Sequence, residues 1–170
     1  MDTLDAIGSL RAIRRFDGRP LPEDVLERIL EAGRRAPSSM NEQRWAFVVC
    51  TDRDHLRELA TIGDYAEHIA GAAAAVALVT PEAEEGWRRE GIAFDLGQCA
   101  QNLQLAAWAQ GVGSVHAAVY DEAKTRTLLG YPEGWRCDYL LSLGYPAHLP
   151  TTRGGREPLA ELVHREHWEG

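Results

Sequence analysis

Cysteine is scarce in this chain of 170 residues, and the spacings typical of zinc sites are missing. Cys50, Cys99 and Cys137 stand far apart in apolar surroundings, and no Cys-x-x-Cys or His-x-x-x-His pattern accompanies them. Isolated cysteines of this kind behave as small hydrophobic side chains. We therefore expect three reduced thiols in the core and no bound metal.

Long apolar runs are also absent. The most apolar stretch, 69–79, is shorter than the roughly 20 residues that a membrane-spanning helix needs. The N-terminus carries Asp2 and Asp5 where a secretory leader would carry basic residues before an apolar segment. These features predict a cytoplasmic protein with no membrane partner.

Basic residues are outnumbered by acidic ones, 18 against 26, which gives a net charge of −8 and a pI near 5.2. The average field of such a chain repels phosphate, so the composition argues against nucleic acid as a partner. The sequence shows no repeat, linker or low-complexity segment. A chain of this length can bury a sizeable core, and we expect one domain over residues 1–170.

Apolar periodicity predicts helices and strands that alternate along the chain. Helices are expected over 4–10, 21–36, 52–60, 91–110 and 121–129, and strands over 45–50, 72–80, 112–119 and 137–143. The strand at 45–50 does not alternate, so it is expected to be buried on both faces. The charged segment 82–89 is either a mobile loop or the start of a helix. If it is a loop, it is the candidate for a small lid over a binding cavity. The tail, 148–170, is expected to pack on a partner subunit.

Two segments about one helix apart suggest a phosphorylated, ring-bearing ligand. The segment 11–16 holds three arginines, whose planar guanidinium groups suit a phosphate. The segment 36–43 follows, with short polar residues that can bond a polyol or the edge of a heterocycle. A simpler alternative is that Arg14 and Arg15 form ordinary surface pairs with Asp17 or Glu23.

These segments, with several others, resemble the nitroreductase-like family of FMN-dependent oxidoreductases. The Gln-Arg-Trp-Ala-Phe-Val-Val run at 43–49 and the helix at 95–107 are similar to the family's motifs. The same holds for Gly-Val-Gly-Ser at 111–114, Leu-Gly-Tyr-Pro at 143–146 and the closing Arg-x-Pro-Leu-x-Glu-Leu-Val at 156–163. Three positions depart from the family: Leu10 and Ala12 stand where arginine and serine are common, and Arg44 where proline is common. The first two departures remove possible FMN contacts.

The resemblance implies an α+β fold, in which helices flank a central, mostly antiparallel sheet, and an intertwined homodimer. It also implies an FMN site at each subunit junction. By position, Arg11, Arg14 and Arg156 would meet the phosphate, and Ala117 and Ala118 would present backbone groups to flavin N5. The complete set of implied cofactor-binding residues is Arg11, Ala12, Arg14, Pro37, Ser38, Ser39, Asn41, Gln43, Ala117, Ala118 and Arg156.

The function that follows from the resemblance is an FMN-dependent oxidoreductase. NAD(P)H would pass a hydride to flavin N5, and a nitroaromatic, quinone or enone-type acceptor would then take its place in a ping-pong cycle. No catalytic acid or base is predicted, because the cofactor performs the chemistry. Two alternatives stay open: a flavin-binding or sensing protein without turnover of a second substrate, and a family-like fold used for a specialised reaction such as flavin fragmentation or reductive dehalogenation.

Overall fold

The structure is a computed structural model that describes residues 1–83, 86–150 and 155–168. Its helices in these ranges are α1 (Thr3–Ser9), α2 (Glu23–Arg34), α3 (Arg53–Leu59), α4 (Trp87–Ala109), α5 (Glu122–Leu129) and α6 (Leu159–Leu162). Its strands are β1 (Ala46–Cys50), β2 (Ala74–Pro81), β3 (Gly113–Ala118) and β4 (Trp135–Gly144). Two short 3-10 turns, Ser39–Asn41 and Glu67–Gly71, precede β1 and β2.

The four strands form one sheet in the order β1-β2-β4-β3, and every neighbouring pair is antiparallel. Val76 of β2 pairs with Leu141 of β4, and Gly113 at the start of β3 pairs with Gly144 at the end of β4. β2 and β4 are therefore central, and β1 and β3 lie at the edges. The α+β class with an antiparallel sheet agrees with the expectation from sequence.

Each face of the sheet buries a separate core. Helices α2 and α4 cover one face, where Ile29 and Leu103 pack with Val76 and Leu141. The other face is covered by α3, α5 and the second 3-10 turn, where side chains such as Leu56 pack against alternate residues of the same strands. This division follows from the period of two in a strand, which sends successive side chains to opposite faces.

Three sequence expectations need correction or refinement. β1 is an edge strand, and Val49 is 36% exposed, so the expectation of a strand buried on both faces is wrong. Its run of apolar residues reflects one packed face and one partly open face. α4 begins at Trp87, so this part of the segment 82–89 is a helix start, while 84–85 lie outside the described residues. β4 begins at Trp135, two residues before the expected start.

The three cysteines are buried and unpaired, as the sequence predicts. In the described part of the chain, no helix is long and apolar enough to cross a membrane.

Candidate cofactor site

The arginine-bearing segment lies across the end of the sheet where β3 begins and β4 ends. Ile13 N donates to Ser114 O at 3.0 Å, and Ala12 forms a parallel bridge with the same residue of β3. Further along, Ala147 N donates to Arg15 O at 3.0 Å, just beyond β4. Main-chain bonds to both strands therefore fix the position of the arginines.

Two glycines permit this close approach. A Cβ atom on Gly113 would lie 2.6 Å from Cγ1 of Ile13, and one on Gly144 would lie 2.8 Å from Cδ1 of Phe16. Both distances are shorter than a side chain tolerates, so the glycines leave the room in which Ile13 and Phe16 seat the segment.

The arginines differ in what they contact. Arg11 donates to two carbonyls at the end of α1, Leu10 O at 2.6 Å and Gly8 O at 3.3 Å. Arg14 and Arg15 instead line a concave surface with Glu67 and His68, which we call the arginine notch. Cations are favourable near a helix C-terminus, so Arg11 stabilises α1.

No ion pair joins Arg14 or Arg15 to any residue that the structure describes. Asp17, one partner considered from the sequence, pairs with Arg19 at 2.6 Å. The simpler alternative of ordinary surface pairs for Arg14 and Arg15 is therefore not what the structure shows. Both guanidinium groups are without an ion-pair partner among the described residues.

The polar segment after α2 adopts an unusual backbone. Met40, Asn41 and Gln43 have φ angles of 53°, 57° and 49°, a left-handed region that residues other than glycine seldom occupy. Two contacts hold this shape: Gln43 N donates to Ser38 Oγ at 2.9 Å, and Ser39 N donates to Asp95 Oδ2 at 3.0 Å. Strained backbone of this kind is concentrated at functional sites.

Asp95 anchors that loop. In the sequence it is part of the helix motif at 95–107, which does not indicate this role. It lies on α4 and is 2% exposed, so its carboxylate needs donors such as the Ser39 N–H. Pro37 beside it is exposed and lines a shallow surface with Phe94 of α4. Ser38 is half-buried, whereas Ser39, Asn41 and Gln43 are exposed.

The outer edge of β3 is covered at both ends: the arginine-bearing segment is bonded to Ser114, and a Cβ on Gly63 would lie 2.9 Å from Ala118 O. Ser114 turns its carbonyl outward to Ile13, and the alternation of an antiparallel ladder gives His116 and Ala118 the same outward direction. Ala117 instead faces β4 with its backbone, and its side chain is buried in the core. Of the two alanines predicted to offer backbone groups to a ligand, Ala118 has the outward position.

A trough runs beside this edge, between α4 and the exposed part of the sheet. Its volume is about 540 Å³. We call it the sheet trough; its lining includes Arg89, Gly97 and Gln104 from α4 and His116, Ala118 and Tyr139 from the sheet. The rings of His116 and Tyr139 meet edge to face at 5.9 Å between centroids. Arg89 is held by an ion pair with Asp138.

The structure does not bring all the predicted residues together within one chain. Trp108 Nε1 donates to Ser9 Oγ at 2.9 Å, which places the arginine-bearing end of the chain at the C-terminal end of α4. The loop at 37–43 is bonded to Asp95 in the N-terminal half of the same helix, about 20 Å from Trp108 at 1.5 Å of rise per residue. The two segments are therefore two separate surfaces of this chain.

Arg156 is exposed on the C-terminal tail. Within the described residues, its side chain bonds only the neighbouring Gly155 O, at 3.3 Å. Residues 155–168 are exposed throughout, including Leu159, Leu162 and Trp168, while 151–154 and 169–170 lie outside the described residues. The expectation that this tail packs on a partner subunit stays a prediction, and exposed apolar side chains are consistent with it.

Behind the arginine notch, His68 contacts a buried residue of β4, and the sequence singled out neither of the two. His68 Nδ1 and Ser142 Oγ are 2.8 Å apart, and Ser142 is fully buried. Burial lowers the pKa of His68 to about 4, with smaller contributions from Arg14 and His116. These residues are 74 positions apart, so no local pattern could have predicted the pair.

Comparison with known proteins identifies the family. The model of the nitroreductase family matches residues 7–86 and 64–145. A protein of Methanothermobacter thermautotrophicus, named as a candidate NADH dehydrogenase/NAD(P)H nitroreductase, is 31% identical and the match covers 99% of this chain and 88% of the relative.

Solved structures agree. Nitroreductase A from Vibrio parahaemolyticus has a TM-score of 0.86 at 26% identity, covering 100% of this chain and 78% of the relative. The NADPH:FMN oxidoreductase from Vibrio harveyi, solved with NAD⁺, has a TM-score of 0.84 at 26% identity, covering 99% and 78%. The resemblance stated from sequence and the prediction of an oxidoreductase that uses FMN and NAD(P)H are confirmed at the level of the family. The chain belongs to the nitroreductase family.

Proposed function

We propose that this chain is an FMN-dependent NAD(P)H oxidoreductase that reduces nitroaromatic, quinone or enone-type acceptors and works as a homodimer. The observation that supports it most directly is the pair Arg14 and Arg15. Both guanidinium groups lack an ion-pair partner among the described residues, and the segment that carries them is bonded to the edge strand β3 in a chain of this family.

The donor set of the chain fits the phosphate of FMN. Arginine binds phosphate through paired, charge-assisted hydrogen bonds, and Arg14 is free to do so. Arg11 and Arg156 are the other arginines that we assign to the phosphate. Arg11 stands at the start of the same segment, and Arg156 would join from the C-terminal tail. Ala12 contributes no hydroxyl, so the arginines bear more of the binding.

The space beside the notch fits the rest of the cofactor. From Ser114 to Ala118 the edge of β3 runs for about 13 Å, and its middle, around His116, lies between the arginine-bearing segment and Gly63. The sheet trough beside it has a volume typical of small-molecule sites. The outward backbone groups of His116 and Ala118 would bond the edge of the ring. Gly97 has no side chain, so it would leave the face of the ring uncovered.

FMN, when bound, supplies hydride transfer between NAD(P)H and an acceptor. NAD(P)H and the acceptor would occupy the same cavity one after the other. The chain's own residues bind and orient the reactants: the arginines neutralise phosphate, and main-chain donors meet the heterocycle. We assign no acid or base to the protein, because a cofactor that performs the redox step needs mainly positioning.

A homodimer explains why the two predicted binding segments lie apart. Segment 11–16 of one copy and segment 37–43 of another would meet if two α4 helices packed in opposite directions. α4 offers a surface for this, since Phe94 is 70% exposed next to Gly97 and Gln101. Exposed Leu4 and Ile7 of α1 extend the apolar area.

The first experiment is a visible absorption spectrum of the purified protein, with identification of any flavin released on denaturation. NADH and NADPH oxidation is then measured under anaerobic conditions, with and without a quinone, a nitroaromatic or an enone. We expect stoichiometric FMN and acceptor-dependent oxidation. Bound FMN with no acceptor-dependent turnover would favour the flavin-binding or sensing alternative. A colourless protein that takes up no added FMN would overturn the proposal.

A further inference from the structure

His68 lies in the arginine notch without a role in the function proposed above. It sits in the 3-10 turn Glu67–Gly71, and its ring lines the same two concave surfaces as Arg14 and Arg15. Arg53 of α3 donates to Ala70 O at 3.0 Å and also to Ala72 O, which fixes the turn. His68 is therefore held next to the two guanidinium groups by a rigid part of the fold.

The partner of His68 suits a ring that changes its protonation state. Ser142 Oγ lies 2.8 Å from Nδ1, and a hydroxyl can either donate to a neutral ring nitrogen or accept from a protonated one. Ser142 is buried at the centre of the sheet, opposite Val115 of β3, and cannot move away. With Nδ1 bonded in both states, Nε2 is left for a ligand.

We propose that His68 is a proton-linked contact for the phosphate of FMN: it is neutral in the free protein and takes up a proton when the phosphate binds beside Arg14. The proposal rests on the proposed function for the identity of the ligand. The chemistry is more general, because any dianionic phosphate or sulfate next to His68 favours the imidazolium. The result is a charged Nε2–H donor and, after Arg14 and Arg15, a third positive charge for the anion.

The charges around the ring support this direction. In the free protein, burial holds the pKa of His68 at about 4, and the nearby Arg14 and His116 add to that effect. An opposite charge within about 4–6 Å raises the pKa of a histidine by roughly 1–3 units. The other titratable groups facing the notch are Asp64, Tyr65, Glu67 and His148, and Arg15 is a fixed charge. The other histidines near the ring of His68 are His148, which lines the notch, and His116, so these two are the controls.

The test follows the imidazole of His68 by NMR between pH 8 and pH 5.5 in protein labelled at its six histidines. The variant His68→Gln assigns the resonance, and His116→Gln and His148→Gln exclude the neighbours. The full-length protein is compared free, with FMN and with riboflavin, which has the ring but no phosphate. We expect His68 to stay neutral when free or with riboflavin and to titrate when FMN is bound.

Affinity gives an independent readout. Suppose that the pKa of His68 in the FMN complex is near 6. Lowering the pH from 8 to 5.5 should then increase the FMN affinity of the wild type about fourfold relative to that of His68→Gln. Riboflavin shows no such difference. Ser142→Ala removes the acceptor for Nδ1–H, so the FMN-dependent titration moves to lower pH while the fold is kept.

The outcomes separate this inference from the proposed function. FMN that binds while His68 stays neutral at pH 5.5 overturns the inference and leaves the function intact. If no FMN binds, the function fails, and inorganic sulfate replaces it as the probe. A titration of His68 induced by sulfate supports the anion contact, and its absence overturns it.

Discussion

Gly113→Ala tests how the arginine-bearing segment is held. The added Cβ would lie 2.6 Å from Cγ1, 2.7 Å from Cβ and 2.9 Å from Cγ2 of Ile13. These are the rigid inner atoms of a β-branched side chain that is 1% exposed, so rotation about a bond cannot relieve the contact. The segment must move away from β3, and Arg14 must move with it.

The expected cost is that of an overpacked core, about 1–3 kcal/mol. For a domain of this size it lowers the melting temperature by roughly 2–12 °C, measured by calorimetry at fixed protein concentration. FMN content after gel filtration should fall as well, because the phosphate contacts are displaced. In the double variant with Ile13→Gly, which also removes the Cβ at 2.7 Å, the two costs should not add, and a coupling of about 1–3 kcal/mol is expected.

Gly91→Ala is the matched control. Its Cβ would meet no atom within 4 Å, and alanine in a helix interior is more stable than glycine by about 0.5–1 kcal/mol. We expect a small rise in melting temperature and unchanged FMN content. Equal melting temperatures and FMN contents for Gly113→Ala and Gly91→Ala would refute the packing argument.

Three further outcomes follow from the same structure. The double variant Arg14→Ala with Arg156→Ala should release FMN on gel filtration and stay a dimer by light scattering, with Arg57→Ala on α3 as the control. Stoichiometric FMN in the double variant would contradict the assignment of these arginines to the phosphate. Phe94→Glu should shift the mass toward the monomer and release FMN, whereas the same added charge in Ala123→Glu should not; a stable Phe94→Glu dimer would place the interface elsewhere. Burial raises the pKa of both Cys99 and Cys137 to about 12, so a thiol-specific chromogenic reagent at pH 8 should label them only after denaturation. Fast labelling of these two thiols in the native protein would mean that the cores open.

Sequence patterns predicted the order of the elements because most of them have a strong apolar period. α2 carries one clear stripe, and β2 is a continuous apolar run that is buried on both faces. β1 has nearly the same kind of run but lies at the sheet edge. Edge or centre is decided by strand order, which depends on pairings between distant segments and is not visible in the run itself.

The candidate site divides in the same way. The arginine cluster and the polar loop could be found from the sequence because each is a short contiguous motif. The contacts of individual residues could not, since the bonds from Arg11 to the end of α1 and the turn of the Ala117 backbone toward β4 depend on local geometry. His68 and Ser142 have no neighbouring motif at all, and only the approach of the 3-10 turn to β4 brings them together.

The separation of the two binding segments along α4 has a thermodynamic consequence. If each FMN lies between Arg14 of one copy and the loop at 37–43 of another, a single chain offers only half of the contacts. FMN then binds the dimer far better than the monomer, so the cofactor stabilises the dimer by mass action, and dimerisation raises the affinity for FMN by the same factor. In that arrangement, a stronger subunit interface would offset the FMN contacts that arginine and serine would make at positions 10 and 12, where this chain has Leu10 and Ala12, and cofactor retention would be a property of the assembly.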